Sequence, residues 1–229
     1  FGRLPLPQAL KPAVGGLLLG IMGLITIMMT GLADVPSFYG NGYPVITNLL
    51  DPATYLPSEP DGSLATLVLL VGLLLLLKVV GTSLTIGSGG AGGMFAPSLL
   101  IGAALGGLLG LVLESIGWLP NGSPAHLALV GMAAVLAGTT HAPLTAILIV
   151  YELTQSYQVI LPLMFAAVVS TVVARSLNRN SIYTSRLRDM GIRVGVMSDL
   201  TILRRLTVSD VSLREPVVVA EEDSAQKLM

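Results

Sequence analysis

The fold is decided by the stretch Gly87-Ser-Gly-Gly-Ala-Gly-Gly-Met-Phe-Ala-Pro-Ser98, whose first seven residues include five glycines. It separates two apolar runs: residues 64–86, which contain Lys78 as their only charge, and residues 94–112. Glycine destabilises a helix because it loses more backbone entropy on ordering than any other residue. The pattern therefore predicts two apolar helices with a non-helical junction between them.

Composition places most of the chain in a lipid bilayer. Of its 229 residues, 53% are hydrophobic and only 11% are charged, and the mean hydropathy is +0.82, which is more apolar than an ordinary soluble domain. Nine of the twelve Lys and Arg residues lie at or after Arg175, and Lys78 is the only base between Pro12 and Ala174. We therefore expect an integral, multi-pass membrane protein with a polar C-terminal part.

Several further segments are apolar, and some are too short to cross about 30 Å of hydrocarbon. Residues 13–33 have the length of a transmembrane helix, whereas residues 34–63 read as a loop with a short helix near residues 45–50. Three later segments, punctuated by Pro143 and Pro162, are residues 127–140, 144–151 and 160–174. Interrupted helices at membrane depth commonly build ion or substrate sites, so the pattern favours a transporter.

Other classes of function have little support. Cysteine is absent and the two histidines, His126 and His141, are too few for a metal cluster, so no metal site is expected. A net charge of -1 gives no reason to expect nucleic acid. The late arginines instead predict a cytoplasmic C-terminus by the positive-inside rule. No signal peptide is visible and no initiating Met is present, so we expect a fragment of a longer protein.

The glycine cluster admits three interpretations. Gly87, Gly89 and Gly92 match the dinucleotide pattern G-x-G-x-x-G, with Glu114 about twenty residues on, but an apolar helix precedes them where that fold needs a strand. The glycines could also simply permit a turn between two spans. In the third interpretation, a helix beginning near Phe95 presents free amides and a partial positive charge, which an anion can approach because glycine has no Cβ.

The sequence around the cluster resembles the CLC family of chloride channels and exchangers. The run Gly93-Met-Phe-Ala-Pro97 looks like the family's anion-filter motif G-x-F-x-P, residues 129–154 resemble the helices that follow it, and the likeness continues through residues 157–162 to Ser181-Ile-Tyr183. It covers roughly residues 1–190 in consistent order. The resemblance implies an all-α polytopic membrane fold with broken helices, corresponding to the second of two inverted repeats.

The resemblance also implies a function and a site. Chloride or a related anion would be the transported ligand, with no resident cofactor, and transport would be through a voltage-gated channel or a proton-coupled antiporter. The backbone amides of Met94 and Phe95 would contact the anion, Gly92 and Gly93 would form the filter loop, and the Tyr183 hydroxyl would donate a further hydrogen bond. The family's serine-bearing and glutamate-bearing motifs are not found in this sequence.

The same resemblance sets the predicted domain boundaries and partners. Residues 1–187 would be the C-terminal part of the transmembrane domain, 188–205 a cytoplasmic linker and 206–229 the truncated α/β beginning of a CBS domain. The protein would form a homodimer in a lipid bilayer, and complete CBS domains of the longer protein could bind adenine nucleotide. An alternative is a transport-inactive membrane scaffold in which the CBS portion senses a ligand.

Three ionisable residues in the apolar part allow other interpretations. Lys78 could lie near the anion pathway, reach a membrane interface or pair with Glu152. Glu152 could relay protons or simply end a helix, and His141 precedes a helix break, where a structural hydrogen bond is typical. An intramembrane enzyme using Glu152 or His141 would need a catalytic partner at helical spacing, and neither residue has one, so we expect a transporter that is not an enzyme.

Overall fold

The computed structural model describes residue 7 and residues 10–30, 36–55, 64–120, 123–155 and 157–189 of the chain. Within these ranges the secondary structure is helical, without a strand. The α-helices are α1 (Leu10–Thr30), α2 (Tyr43–Leu50), α3 (Leu64–Gly87), α4 (Phe95–Ser115), α5 (Ser123–Thr140), α6 (Pro143–Thr154), α7 (Ile160–Leu177) and α8 (Ile182–Asp189). Short 3-10 helices at Pro52–Tyr55 and Tyr157–Val159 lie between them.

Five of these helices, α1, α3, α4, α5 and α7, are long and apolar enough to cross a membrane. Many of their large apolar side chains are exposed: Met28 is 77% exposed, Phe165 73% and Leu69 65%. Helices with apolar surfaces on all sides are typical of membrane spans, because lipid solvates these side chains. The predicted all-α, polytopic membrane fold is confirmed.

The core lies between α4 and α5, which approach through their backbones. A Cβ added at Gly102 would lie 2.7 Å from Cα of Met132, and one added at Gly106 would lie 2.9 Å from Cα of Ala128. Small residues at such positions let helices pack closely in lipid, where van der Waals contact replaces the hydrophobic effect as the force between helices. These glycines therefore allow close packing of α4 against α5.

Helix α7 packs on the other side of α5 and is joined to it by side-chain hydroxyls. Ser170 Oγ donates to the carbonyl of Ala134 at 2.7 Å, and Thr171 Oγ1 lies 3.3 Å from the carbonyl of Ala137. Hydroxyl bonds of this kind are a common supplement to packing between membrane helices. Helix α5 thus lies between α4 and α7 and packs against both.

Several helix boundaries differ from the sequence prediction by a few residues. Helix α1 begins at Leu10 rather than near residue 13. Pro162 lies in the first turn of α7 and does not interrupt it, because the first turn has no intrahelical partner for the amide that proline lacks. Pro143 opens α6 in the same way.

The chain divides into two compact units, residues 1–185 and 186–229. The second unit is described only through the end of α8. The predicted linker, 188–205, lies almost wholly outside the described residues, and the predicted CBS segment, 206–229, lies entirely outside them. Both boundaries therefore stay predictions.

Candidate anion-binding site

The end of α3 is closed by a glycine turn. The amide of Gly90 donates to the carbonyl of Thr85 at 2.9 Å, and the amide of Gly89 donates to the carbonyl of Ile86 at 3.1 Å. This pair of bonds, with Gly89 at a φ of +89°, is the Schellman arrangement that ends many helices. Only glycine adopts such a backbone readily, so the sequence ends the helix at this point and releases the chain into the junction.

Helix α4 begins immediately after this junction with unpaired amides. Met94 is the N-terminal cap, and no side chain bonds to the helix end. In the described part of the chain, the amides of Met94, Phe95 and Ala96 donate to no protein acceptor, and Pro97 has no amide hydrogen. The helix break predicted at residues 87–93 and the helix start predicted near Phe95 are both confirmed. Such free amides, with the helix dipole behind them, can bind an anion.

Ser98 fixes the first peptide of α4. Its hydroxyl donates to the carbonyl of Met94 at 2.7 Å, and its amide donates to the same carbonyl at 3.1 Å. In a trans peptide the carbonyl and the following amide point in opposite directions, so holding the Met94 carbonyl along the helix directs the Phe95 amide out of its end. This role of Ser98 was not predicted from the sequence, although a serine four residues after a helix cap is a signal for it.

Two cavities flank the junction. The first, of about 410 Å³, is lined by Gly92, Gly93 and Ala96 together with Tyr39 and Lys78. A Cβ added at Gly93 would meet no heavy atom within 4 Å, so this glycine borders open space. The predicted filter glycines therefore lie together in the wall of a cavity, next to the N-terminus of α4.

The second cavity, of about 320 Å³, is lined by Met94 and Ile182. Thr82, Ile86 and Pro97 line both cavities, so only a thin layer of residues separates them. The structure thus brings the first residue of α8 to the side of the junction where Met94 lies. Tyr183 is the next residue, and 49% of it is exposed. The hydrogen bond predicted from its hydroxyl to an anion stays a prediction.

Lys78 is placed differently from two of the arrangements expected from the sequence. It is only 2% exposed, so it does not extend to a membrane interface. Its ammonium donates to the carbonyls of Phe38 at 3.0 Å and Gly40 at 2.9 Å, and these bonds replace the expected pairing with Glu152. Both expectations were wrong because a nearby turn offers two backbone acceptors inside the fold.

His141 lies at the sharp turn between α5 and α6, with a φ of +60°. Its carbonyl accepts a hydrogen bond from Nη2 of Arg175 at 2.9 Å, which ties this turn to the last turn of α7. Partial burial and then the charge of Arg175 hold the pKa of His141 below its usual value of 6.5. Glu152 is exposed near the end of α6. Neither residue lines the two cavities beside the junction.

Comparison with known proteins identifies the family. The sequence model described as "Voltage gated chloride channel" matches residues 2–175, which is most of the chain. This chain belongs to the voltage-gated chloride channel family. The glycine junction, the unpaired amides and the two cavities all lie within the residues that the family model matches, apart from Ile182.

Two curated relatives of this chain are also described as chloride channels. A chloride channel protein of Ralstonia nicotianae, described as ClcB-like, is 40% identical over 199 residues, covering 85% of this chain and 41% of the relative. The voltage-gated ClC-type chloride channel ClcB of Escherichia coli O81 is 36% identical over 186 residues, covering 80% of this chain and 39% of the relative. The chain thus spans about two fifths of the length of these relatives.

Proposed function

We propose that the protein to which this chain belongs transports chloride or related anions across a membrane. The observation that carries the proposal is the start of α4, where the amides of Met94 and Phe95 are unpaired between two membrane-length helices. Unpaired amides at membrane depth are costly unless a cavity or a ligand serves them. The cavities on both sides of the junction supply the space that an anion would need to pass.

The chemistry of this site suits transport better than tight binding. An ion must bind well enough to lose part of its hydration shell, yet weakly enough to leave. Amides at a helix end supply about half a unit of positive charge, spread over several hydrogens, so they meet both requirements. In the proposed site, Met94 and Phe95 donate amides, Gly92 and Gly93 allow close approach, and the Tyr183 hydroxyl donates a further hydrogen bond. The anion is the transported ligand, and no resident cofactor is needed.

We further propose an assembly and an orientation for the whole protein. The exposed apolar side chains of α6 and α7, including Leu144, Leu148 and Phe165, are suited to contact with lipid or with a second subunit of a homodimer. The excess of basic residues after Ala174 favours a cytoplasmic C-terminus. A complete CBS region following residue 206 would then lie in the cytoplasm, where adenine nucleotide is available to it. The names of the relatives describe chloride channels, which supports a transporter rather than an enzyme.

The test is chloride efflux from liposomes that contain the purified full-length protein, with the replacement Gly93→Ala. The added Cβ meets no atom of the described chain, so the fold should persist while the methyl group narrows the anion's approach. We expect the rate of efflux to fall on the order of tenfold.

The matched control is Gly20→Ala in α1, where an added Cβ also meets nothing within 4 Å. This control variant should transport chloride at the wild-type rate. Equal efflux from the Gly93 and Gly20 variants would contradict the proposed site, and wild-type liposomes without chloride efflux would contradict the proposed function.

A further inference from the structure

A buried positive charge lies beside the proposed anion site. Lys78 is 2% exposed and lies within α3, a helix long and apolar enough to span the membrane. Its ammonium donates to the carbonyls of Phe38 and Gly40, in the turn that precedes α2. In the part of the chain that the structure describes, it forms no ion pair. A charge at membrane depth without a counter-charge is costly, and such residues commonly serve function.

The cavity wall shows where this charge acts. Lys78 lines the cavity of about 410 Å³ that Gly92 and Gly93 also line. A lysine ammonium carries three hydrogens, and the two carbonyls accept two of them. The cation is thus held in the wall of the cavity that borders the filter loop, with a donor that the two carbonyls leave unused.

The register of α3 connects the charge to the filter loop. Lys78, Gly81, Thr82 and Thr85 all line the cavity, and their spacing places them on one face of the helix. At the end of this face, the carbonyl of Thr85 accepts a hydrogen bond from the amide of Gly90. Seven residues of helix correspond to about 10 Å of axial rise. The charge therefore lies in the wall of the same cavity about two helical turns before the filter loop, close enough to attract an anion there.

We propose that Lys78 is a positioning residue that sets the anion affinity of the filter through its fixed positive charge. The inference rests on the proposed function, since it concerns the anion at that same site. Two unit charges about 10 Å apart, at an effective dielectric constant of about 20, change a binding constant roughly tenfold. The charge raises anion occupancy without a direct contact that would trap the ion.

The same lysine also ties the turn before α2 to α3, so the charge must be separated from the hydrogen bonds. Glutamine carries two amide hydrogens and no charge, so Lys78→Gln can keep both bonds to the carbonyls of Phe38 and Gly40. Lys78→Arg keeps the charge and the donors, whereas Lys78→Met keeps neither. A purely structural role predicts that only the methionine variant is impaired.

The experiment measures chloride efflux from liposomes containing each full-length variant, as a function of chloride concentration. We expect the half-saturating chloride concentration to rise roughly tenfold in Lys78→Gln and Lys78→Met, and to stay within about threefold of wild type in Lys78→Arg. A glutamine variant with wild-type chloride affinity would overturn the inference. That outcome requires an active wild type, so it differs from the failure of the proposed function, in which the wild type itself shows no chloride efflux.

A second variant guards against loss of folding. Thr82 lines the same cavity one turn nearer the filter loop, so Thr82→Lys combined with Lys78→Met returns a positive charge to the cavity without restoring the tie to the turn. Recovery of chloride affinity in this double variant supports the electrostatic role. A double variant that unfolds cooperatively like wild type, yet retains the weak affinity of Lys78→Met, overturns it.

Discussion

Replacing Ser98 with alanine removes the side-chain bond that holds the first peptide of α4. The Ser98 hydroxyl lies 2.7 Å from the carbonyl of Met94, and Ser98 is only 6% exposed, so water does not readily replace the bond. The carbonyl keeps the amide of Ser98 as a donor, and alanine leaves no orphaned hydrogen behind. The loss should therefore cost about 1 kcal/mol, the typical net value of one intramolecular hydrogen bond.

Loss of this hydrogen bond should also weaken anion binding, because the Met94 carbonyl and the Phe95 amide belong to one rigid peptide. If the hydroxyl orients that amide, about 1 kcal/mol corresponds to a roughly fivefold weaker chloride affinity in Ser98→Ala. Chloride titration and denaturant unfolding of the purified full-length protein in detergent would measure both quantities.

The matched control is Ser176→Ala. Its hydroxyl makes the same kind of bond, at 2.7 Å to the carbonyl of Val173, but it is exposed near the end of α7. The control should leave chloride affinity unchanged. If Ser98→Ala lost stability but kept wild-type chloride affinity, the reasoning that the hydroxyl orients the Phe95 amide would be refuted.

Two further predictions concern packing and pH. Gly106→Ala should lower the free energy of unfolding by about 1–3 kcal/mol, because the added Cβ would meet the Leu127 carbonyl, whereas Gly20→Ala should not destabilise; denaturant unfolding tests both. The folded-state pKa of His141 is depressed, so the unfolded chain takes up the proton first and stability should fall as the pH drops below about 6.5. His141→Asn, which tolerates positive φ, should remove that part of the pH dependence of thermal unfolding; an unchanged pH profile would contradict it.

The sequence predicted the helix break well because its cause is local. Five glycines between residues 87 and 93 cannot continue a helix at low cost, and the apolar runs on either side have the length of membrane helices rather than of strands. The start of α4 at Phe95 followed from the same pattern. The roles proposed for Met94 and Phe95 came from resemblance to a family, since unpaired amides leave no trace in side-chain chemistry.

Contacts between distant parts of the chain could not be predicted in the same way. Lys78 donates to the carbonyls of Phe38 and Gly40, which lie 40 and 38 residues before it in the sequence. Every residue has a backbone carbonyl, so the residue type gives no sign of which carbonyl will be the acceptor. The expected pairing with Glu152 was based on charge alone, and this criterion considers acidic side chains but not backbone carbonyls. The segment predicted at residues 160–174 contains Pro162, and its position in the first turn of α7 lets the helix continue without an interior break.

The close backbone contact between α4 and α5 restricts how these two helices can move. Where Gly102 and Gly131 bring two backbones together, there are no side chains whose rotation could let the helices slide. We therefore expect α4 to move as a rigid helix, so that the amides at its N-terminus keep their positions during the proposed anion transport. Any movement that lets an ion pass would then have to come from other residues that line the first cavity, such as Leu19 of α1.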